Sequence, residues 1–190
     1  ARAAFFEQMP VRVTDGDPIR QHRSLRIGDL AELFLLDERQ YRDPTPSEES
    51  GNALGTSSLE QLEMVEPGRT MLGDAQVSWL TGGLSASTAA WKIIGSQLMF
   101  SPLRSQRFAD EIAEAGDGPQ RNAGRYVNMT QWDGYQAERR ALVDHIADEG
   151  IDDVMVIAGD AHFWTTSELP RDYDDPDSPY VLTEFGGSSI

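Results

Sequence analysis

The stretch that decides the fold is Asp152-Asp-Val-Met-Val-Ile-Ala-Gly-Asp-Ala-His-Phe-Trp164. Its segment from 154 to 158 is a short, unbroken apolar run, which is typical of a central parallel strand covered on both faces. Gly159 follows at once and allows the backbone to turn sharply. Because open α/β sheets place their ligands at the carboxyl ends of the strands, the residues after Gly159 are predicted to lie at a functional edge.

Asp160 and His162 are the candidate catalytic residues and the candidate metal ligands. A carboxylate oxygen and an imidazole nitrogen two residues apart can converge on one cation, and these donors suit several divalent and trivalent metals. The alternative is that both are ordinary loop residues whose side chains bond to backbone groups. The pair alone does not decide between the two, although its position after a predicted buried strand favours a ligand site.

The elements around this stretch predict an α/β fold. A helix is predicted over residues 136–149, with Leu142, Val143 and Ile146 on one face and Gly150 as its stop signal. Helix, glycine and buried strand form the second half of a βαβ unit and indicate a parallel sheet. The other predicted elements are the end of a helix at 1–12, a turn at 14–18, strands at 24–27, 30–36, 91–100 and 180–185, a helix within 73–87, and irregular loops near 43–67 and 101–126.

Composition narrows the class of partner. The formal net charge of −16, from 32 acidic and 16 basic residues, argues against nucleic-acid binding, which needs a basic surface. A solvated acidic surface is one reading of this charge, and calcium binding by the segment Arg171–Asp177 is the other, although that segment lacks the ligand spacing of an EF-hand. With no cysteine, the chain has neither disulfides nor thiolate ligands.

The sequence shows no apolar stretch as long as a membrane span and no signal peptide. It begins with Ala1 rather than Met and stops at Ile190 in a predicted strand-and-loop region. We therefore expect the chain to be a piece of a longer protein.

A series of motifs resembles one family, the PhoD-type alkaline phosphatases, whose catalytic core is similar to the wider metallophosphoesterase fold. The motifs are Leu36-Asp37-x-Arg39-Gln40-Tyr41-Arg42-Asp43, Met71-Leu72-Gly73-x-x-Gln76-x-x-Trp79-Leu80, Trp91-Lys92-x-x-Gly95-x-Gln97, Trp132-Asp133-Gly134-Tyr135-x-x-Glu138-Arg139, Gly159-Asp160-x-His162 and Glu184-Phe185. The resemblance implies a metallophosphoesterase-like sandwich, with a mixed β-sheet core flanked by helices and incomplete at its amino-terminal side. Residues 1–190 would then form the carboxyl-side part of a single catalytic domain.

The resemblance also implies an activity. It implies metal-dependent hydrolysis of small-molecule phosphate esters, monoesters and also diesters, by a metal-activated oxygen nucleophile with calcium and ferric iron as cofactors. Asp160 and His162 would be the ligands from this part, while aspartates, an asparagine and a cysteine that members carry further upstream are absent here. Thr130 stands where an acidic residue is expected, which argues against direct metal binding by that loop. The resemblance alone implies an extracellular or periplasmic location. It does not indicate an oligomeric state.

Four residues are candidates for substrate binding. Arg39 and Arg42 follow a predicted strand, and guanidinium groups match phosphate oxygens in a two-pronged way. Their alternative role is to pair with nearby acidic residues such as Asp37 and Asp43. Trp132 and Asp133 precede the predicted helix and could shape the substrate entrance, or Asp133 could cap the helix.

Two alternatives to a phosphomonoesterase remain. One is a phosphodiesterase of the phospholipase D type within the same family, acting on lipid or nucleotide esters. The other is an inactive, acidic, cation-binding fragment that lacks the upstream ligands.

Overall fold

The computed structural model describes residues 2–11, 19–46, 64–105, 125–126, 128–173 and 175–187. In chain order the elements are α1 (Arg2–Gln8), β1 (Arg23–Ile27), β2 (Ala31–Leu35), α2 (Asp74–Ala86), β3 (Trp91–Ser96), β4 (Arg104–Ser105), β5 (Arg125–Tyr126), a 3-10 helix (Trp132–Tyr135), α3 (Gln136–Asp148), β6 (Val154–Ala158), β7 (Thr165–Pro170) and β8 (Tyr180–Gly186). Within these ranges no helix is both long and apolar enough to cross a membrane.

The centre of the molecule is a six-stranded mixed sheet in the order β1-β2-β3-β6-β8-β7. The four inner strands are parallel to one another, and the two edge strands run antiparallel to their neighbours. The predicted strand 154–158 is β6, and it lies between β3 and β8. The α/β class and the mixed, parallel-centred sheet are therefore confirmed, as is the central position of this strand.

One face of the sheet packs against the two long helices and forms the core. The buried side chains on this face come from alternate positions of the inner strands, and they meet one face of α2 and one face of α3. The principal members of this cluster are Phe34, Ile94, Val156, Leu182, Leu80, Leu84, Leu142, Val143 and Ile146. The helix predicted for 136–149 ends where expected, because Gly150 has a φ of 60°, a conformation that only glycine adopts without cost.

The opposite face of the sheet is also apolar but is open to solvent. Leu25, Ile27, Ile157 and Phe185 are 48%, 55%, 49% and 46% exposed. The prediction that strand 154–158 is covered on both faces is therefore wrong for the part of the chain that the structure describes, since Ile157 points to the open face. An apolar run shows that both faces of a strand carry apolar side chains. It does not show that the same chain supplies the residues that pack on each face.

Three further predictions differ from the structure. β3 ends at Ser96 rather than at 100, because the next residues turn away to bond with buried carboxylates. The edge strand β7 is not predicted by the sequence, and the region near 101–126 contains a two-stranded antiparallel ribbon of β4 and β5. The turn at 14–18, residues 47–63 of the first loop and residues 106–124 of the second lie outside the described residues.

Candidate functional site

The candidate site lies at the carboxyl edge of the parallel strands. Asp160 comes two residues after β6, and Arg39 comes four residues after β2, which lies on the far side of β3. Gln131 comes from the segment directly before the 3-10 helix. Parallel strands end at one edge of the sheet, so three segments distant in sequence meet around Asp160.

Both carboxylate oxygens of Asp160 are bonded. The Arg39 guanidinium donates from Nη2 to Oδ1 at 3.2 Å, and the Gln131 side-chain amide donates from Nε2 to Oδ2 at 3.3 Å. The Asp160 side chain is still 43% exposed, and that of Arg39 is 49% exposed. The carboxylate is thus held from two sides while one side of it faces solvent.

The backbone around the candidate ligands is strained. Asp160 and His162 have φ values of 64° and 60°, and Asp153 is the other non-glycine residue with a positive φ among those the structure describes. Side chains beyond Cα disfavour this left-handed region, at a cost of order 1–3 kcal/mol each. Such strain concentrates at functional loops, so an observed outlier at both candidate ligands supports a functional role for this turn.

His162 is exposed, and no bond to another described residue holds its imidazole. Across the described ranges there is no group of three or more His, Cys, Asp or Glu residues placed to hold a metal ion. Among the described residues, Asp160 and His162 are therefore not joined by a third His, Cys, Asp or Glu side chain placed to hold a metal ion. The pair fits a metal in the kind of donor but not in their number, because a structural or catalytic cation takes four or more ligands.

Beneath the site lies a buried carboxylate that the sequence did not single out. Glu38 is fully buried; its Oε1 accepts hydrogen bonds from the Trp132 indole at 2.6 Å and the Ser96 hydroxyl at 2.7 Å, and its Oε2 accepts one from the Leu98 backbone at 2.8 Å. Burial raises the pKa of Glu38 to about 7, and these hydrogen bonds partly oppose that effect. Glu38 thus ties the ends of β2 and β3 to the segment around Trp132.

A second buried carboxylate supports the same edge. Glu184 on β8 accepts hydrogen bonds from the backbone of Phe100 and of Ser101, both at 2.7 Å. The sequence signal for it was present, because Glu184 follows Leu182 at a core-facing position of a predicted strand. An acid at such a position needs donors, and here they are the backbone groups that follow β3.

Of the four predicted substrate-binding residues, only Arg39 reaches the candidate ligands. Arg42 is half-buried and donates to the backbone oxygen of Thr130 at 3.0 Å. Trp132 is fully buried and lies against Phe100, with ring centroids 4.8 Å apart.

Asp133 is also buried and forms an ion pair with Arg139 at 3.1 Å. Burial raises the pKa of the Asp133 carboxyl, and the Arg139 charge opposes this. It accepts a hydrogen bond from the Leu103 backbone, and no side chain caps the amino end of α3. Trp132 and Asp133 thus lie below the site rather than on its surface.

The comparison with known families settles what kind of protein this is. A model of the PhoD-like phosphatases matches residues 1–190. The chain belongs to the PhoD-like phosphatase family. It is 30% identical to alkaline phosphatase D of Bacillus subtilis (strain 168) over 193 residues, which cover all of this chain and 30% of that relative.

A solved structure of PhoD is similar to the fold described above. The TM-score is 0.77 at 30% identity, and the match covers 99% of this chain and 33% of that structure. The resemblance noted from the motifs and the fold it implies are thereby confirmed. The chain spans about a third of the length of these PhoD proteins, so their full activity does not transfer to it directly. The roles of individual site residues stay predictions.

Proposed function

We propose that this chain is the carboxyl-side part of a phosphate-ester hydrolase, and that it contributes Asp160 and His162 as metal ligands. The observation that carries the proposal is the strained turn after β6. It presents a partly exposed carboxylate and an exposed imidazole at the edge of the sheet where α/β folds bind ligands. Membership of a phosphatase family makes phosphate esters the corresponding substrate class.

The proposed cofactors are calcium and ferric iron. Asp160 offers a hard oxygen donor and His162 a nitrogen donor, which suits these ions in kind, and the remaining ligands would come from outside the described residues. When bound, such cations neutralise phosphate charge and help to activate the attacking water. The substrate in this proposal is a phosphate monoester, with diester hydrolysis as a second activity.

The residues of this chain have separate tasks in the proposal. Arg39 lies at the rim with an exposed guanidinium that already engages a carboxylate, so it can also pair with a phosphate oxygen. Arg42, which is held by the Thr130 carbonyl and is less exposed than Arg39, is the second proposed source of positive charge for the substrate. Trp132 and Asp133 shape the entrance from below through their packing and their ion pair. An extracellular or periplasmic location belongs to the same proposal and is tested by cell fractionation.

A second candidate function is an inactive, cation-binding fragment. The observation that favours inactivity of the 190-residue chain is the small donor set, since no group of three His, Cys, Asp or Glu side chains placed to hold a metal ion forms among the described residues. The two candidates differ in what they predict for the 190-residue chain and for the full-length protein. The fragment alternative predicts no hydrolysis by the 190-residue chain, because that chain lacks the upstream ligands, whereas the hydrolase proposal predicts hydrolysis at least in the full-length protein.

The test is hydrolysis of p-nitrophenyl phosphate with calcium and ferric iron by the 190-residue chain and by the full-length protein. Bis-p-nitrophenyl phosphate is assayed in parallel, and a faster rate on this diester would favour the phospholipase D-type phosphodiesterase. Absence of activity in the full-length protein on both compounds would overturn the hydrolase proposal.

The ligand role is tested by His162→Ala in the full-length protein. We expect turnover to fall by two or more orders of magnitude with the fold intact, because a lost ligand leaves the cation misplaced. The matched control is His145→Ala. His145 lies in α3 and bonds to Ser85 and to the Thr81 carbonyl. Unchanged turnover with full metal content in the His162 variant would refute the role.

A further inference from the structure

The two side chains that hold Asp160 are chain neighbours of a buried hydrogen-bonded pair. Arg39 directly follows Glu38, and Gln131 directly precedes Trp132. The Trp132 indole donates to Glu38 Oε1 at 2.6 Å. The side chains of Arg39 and Gln131, the two arms that reach Asp160, therefore start from neighbouring points of the backbone. The two residues are nevertheless far apart in sequence.

The base of this arrangement is rigid. Both Glu38 and Trp132 are fully buried, and Glu38 is also bonded to Ser96 and to the Leu98 backbone. The turn after Trp132 is tight as well, because a Cβ on Gly134 would lie 2.1 Å from the backbone oxygen of Met129. Neither arm can shift far without disrupting these contacts.

The orientation of the Gln131 amide is fixed by its other partner. Its Oε1 accepts the Met99 backbone N–H at 2.7 Å, and the residue is buried. Because a backbone N–H can only donate, the oxygen of the amide must face Met99. The Nε2 group is thereby left to donate to Asp160.

We propose that Gln131 is a positioning residue, which together with Arg39 holds the Asp160 carboxylate in the orientation needed to bind a cation. The Glu38–Trp132 hydrogen bond sets the spacing of the two arms. The effect of Gln131 on catalysis rests on the proposed function. The structural content of the inference, that Gln131 sets the direction of Asp160, stands independently of any activity.

Asp160 needs such support because its own surroundings provide little. The side chain is nearly half exposed and belongs to a strained turn, so several rotamers are accessible to it. A ligand or reacting group that moves by about 1 Å can cost on the order of 100-fold in rate. Two donors, one on each carboxylate oxygen, remove the freedom of the terminal torsion.

The test uses Gln131→Glu in the full-length protein. The new carboxylate keeps an acceptor for the Met99 N–H but replaces the donor with an oxygen that repels Asp160. The matched control is Gln136→Glu, the same chemical change five residues further on, where the side chain contacts Met64 and a negative charge suits the start of α3. For each variant we would solve a crystal structure and measure kcat and KM on p-nitrophenyl phosphate.

We expect Asp160 to adopt a different rotamer in Gln131→Glu and kcat to fall 10- to 100-fold, with a smaller change in KM. The Gln136 variant should match the wild type in the position of Asp160, in kcat and in KM. An unmoved Asp160 in Gln131→Glu would overturn the inference, and so would equal losses of kcat in the two variants. If the wild type hydrolyses no phosphate ester, the proposed function fails, and the position of Asp160 alone then decides the role of Gln131.

Two further variants keep the inference testable if Gln131→Glu does not fold. Gln131→Met removes the donor without adding charge, and Trp132→Phe keeps a buried ring but removes the N–H that binds Glu38. Both should displace Asp160 in the same direction as each other, with Trp132→Phe giving the smaller loss of kcat. An unchanged Asp160 in both would count against the inference as strongly as in the first variant.

Discussion

On one face of the sheet, Phe34, Ile94 and Val156 lie beneath α2 and α3 and are almost fully buried. On the other face, Leu25 and Ile157 are equally apolar but about half exposed. Central parallel strands normally have both faces covered, and a large open apolar patch marks a surface that binds something. The difference shows that the covered face is built by local helices, whereas the described residues leave the open face largely uncovered.

The relatives give this difference a context. The chain spans 30% of the length of alkaline phosphatase D and 33% of the solved PhoD chain. In those relatives, the chain outside the matched region is long enough to cover a face of this kind. We expect it to do so, and the mutations below measure each face by itself.

The largest expected effect is on the covered face. Ile94→Ala should lower the free energy of unfolding by about 2–5 kcal/mol, because it removes buried methyl groups and leaves a cavity in the core. Denaturant unfolding followed by circular dichroism would measure this in the full-length protein and in the 190-residue chain. A loss below about 1 kcal/mol would contradict the view that this face carries the core.

Next in size is an effect of pH through Glu38, which lies beneath the candidate site. Its pKa is raised from 4.5 to about 7, so the folded state binds the proton more tightly than the unfolded state does. Its contribution to stability is therefore complete below about pH 4.5 and is lost as pH rises through about 7, by on the order of 3 kcal/mol.

The measurement is the free energy of unfolding between pH 4 and pH 9 for the wild type and for Glu38→Gln. Burial raises the pKa values of Asp133 and Glu138 as well, so both proteins keep a slope of the same sign. The difference between the two curves should decline between pH 4.5 and 7 and be flat above. A constant difference across this range would show that Glu38 does not titrate there.

The smallest expected effect is on the open face. Ile157→Ala, the counterpart of Ile94→Ala, should cost about 1 kcal/mol or less in the 190-residue chain, because this side chain is about half exposed. In the full-length protein the same change should cost about 2 kcal/mol or more if the face becomes covered. Equal losses of unfolding free energy in the two proteins would mean that nothing packs on Ile157. The open face would then be exposed in the full-length protein as well.

The sequence predicted the elements whose signals are local. The helix before Gly150, the strand at 154–158 and the strand from 180 each carry their own periodicity or stop signal, and all three are present. The one-sided cover of β6 was not predictable from residues 154–158, because the apolar pattern is the same whether one or both covers are present. β7 was missed since Thr165 to Pro170 lacks an apolar alternation, and it is recognised only through its pairing with β8.

The site was predictable only in part, for a related reason. Asp160 and His162 were proposed as ligands because they follow a recognisable strand, but the partners of Asp160 are 121 and 29 residues away in sequence. Gln131 gave no signal by itself, since glutamine is common in loops. Glu38 was part of a charged cluster after β2, yet its burial depends on packing by Trp132, which lies 94 residues further along the chain. Contacts of that range require the fold.

The left-handed backbone at Asp160 and His162 has a consequence for engineering and for evolution. Glycine would be the most comfortable residue at either position, so a search for thermostable variants would be drawn to both. Each such change would remove a proposed donor, and the more robust protein would be a poorer catalyst. Under the proposed ligand role, this turn would keep its two donors at a cost in stability.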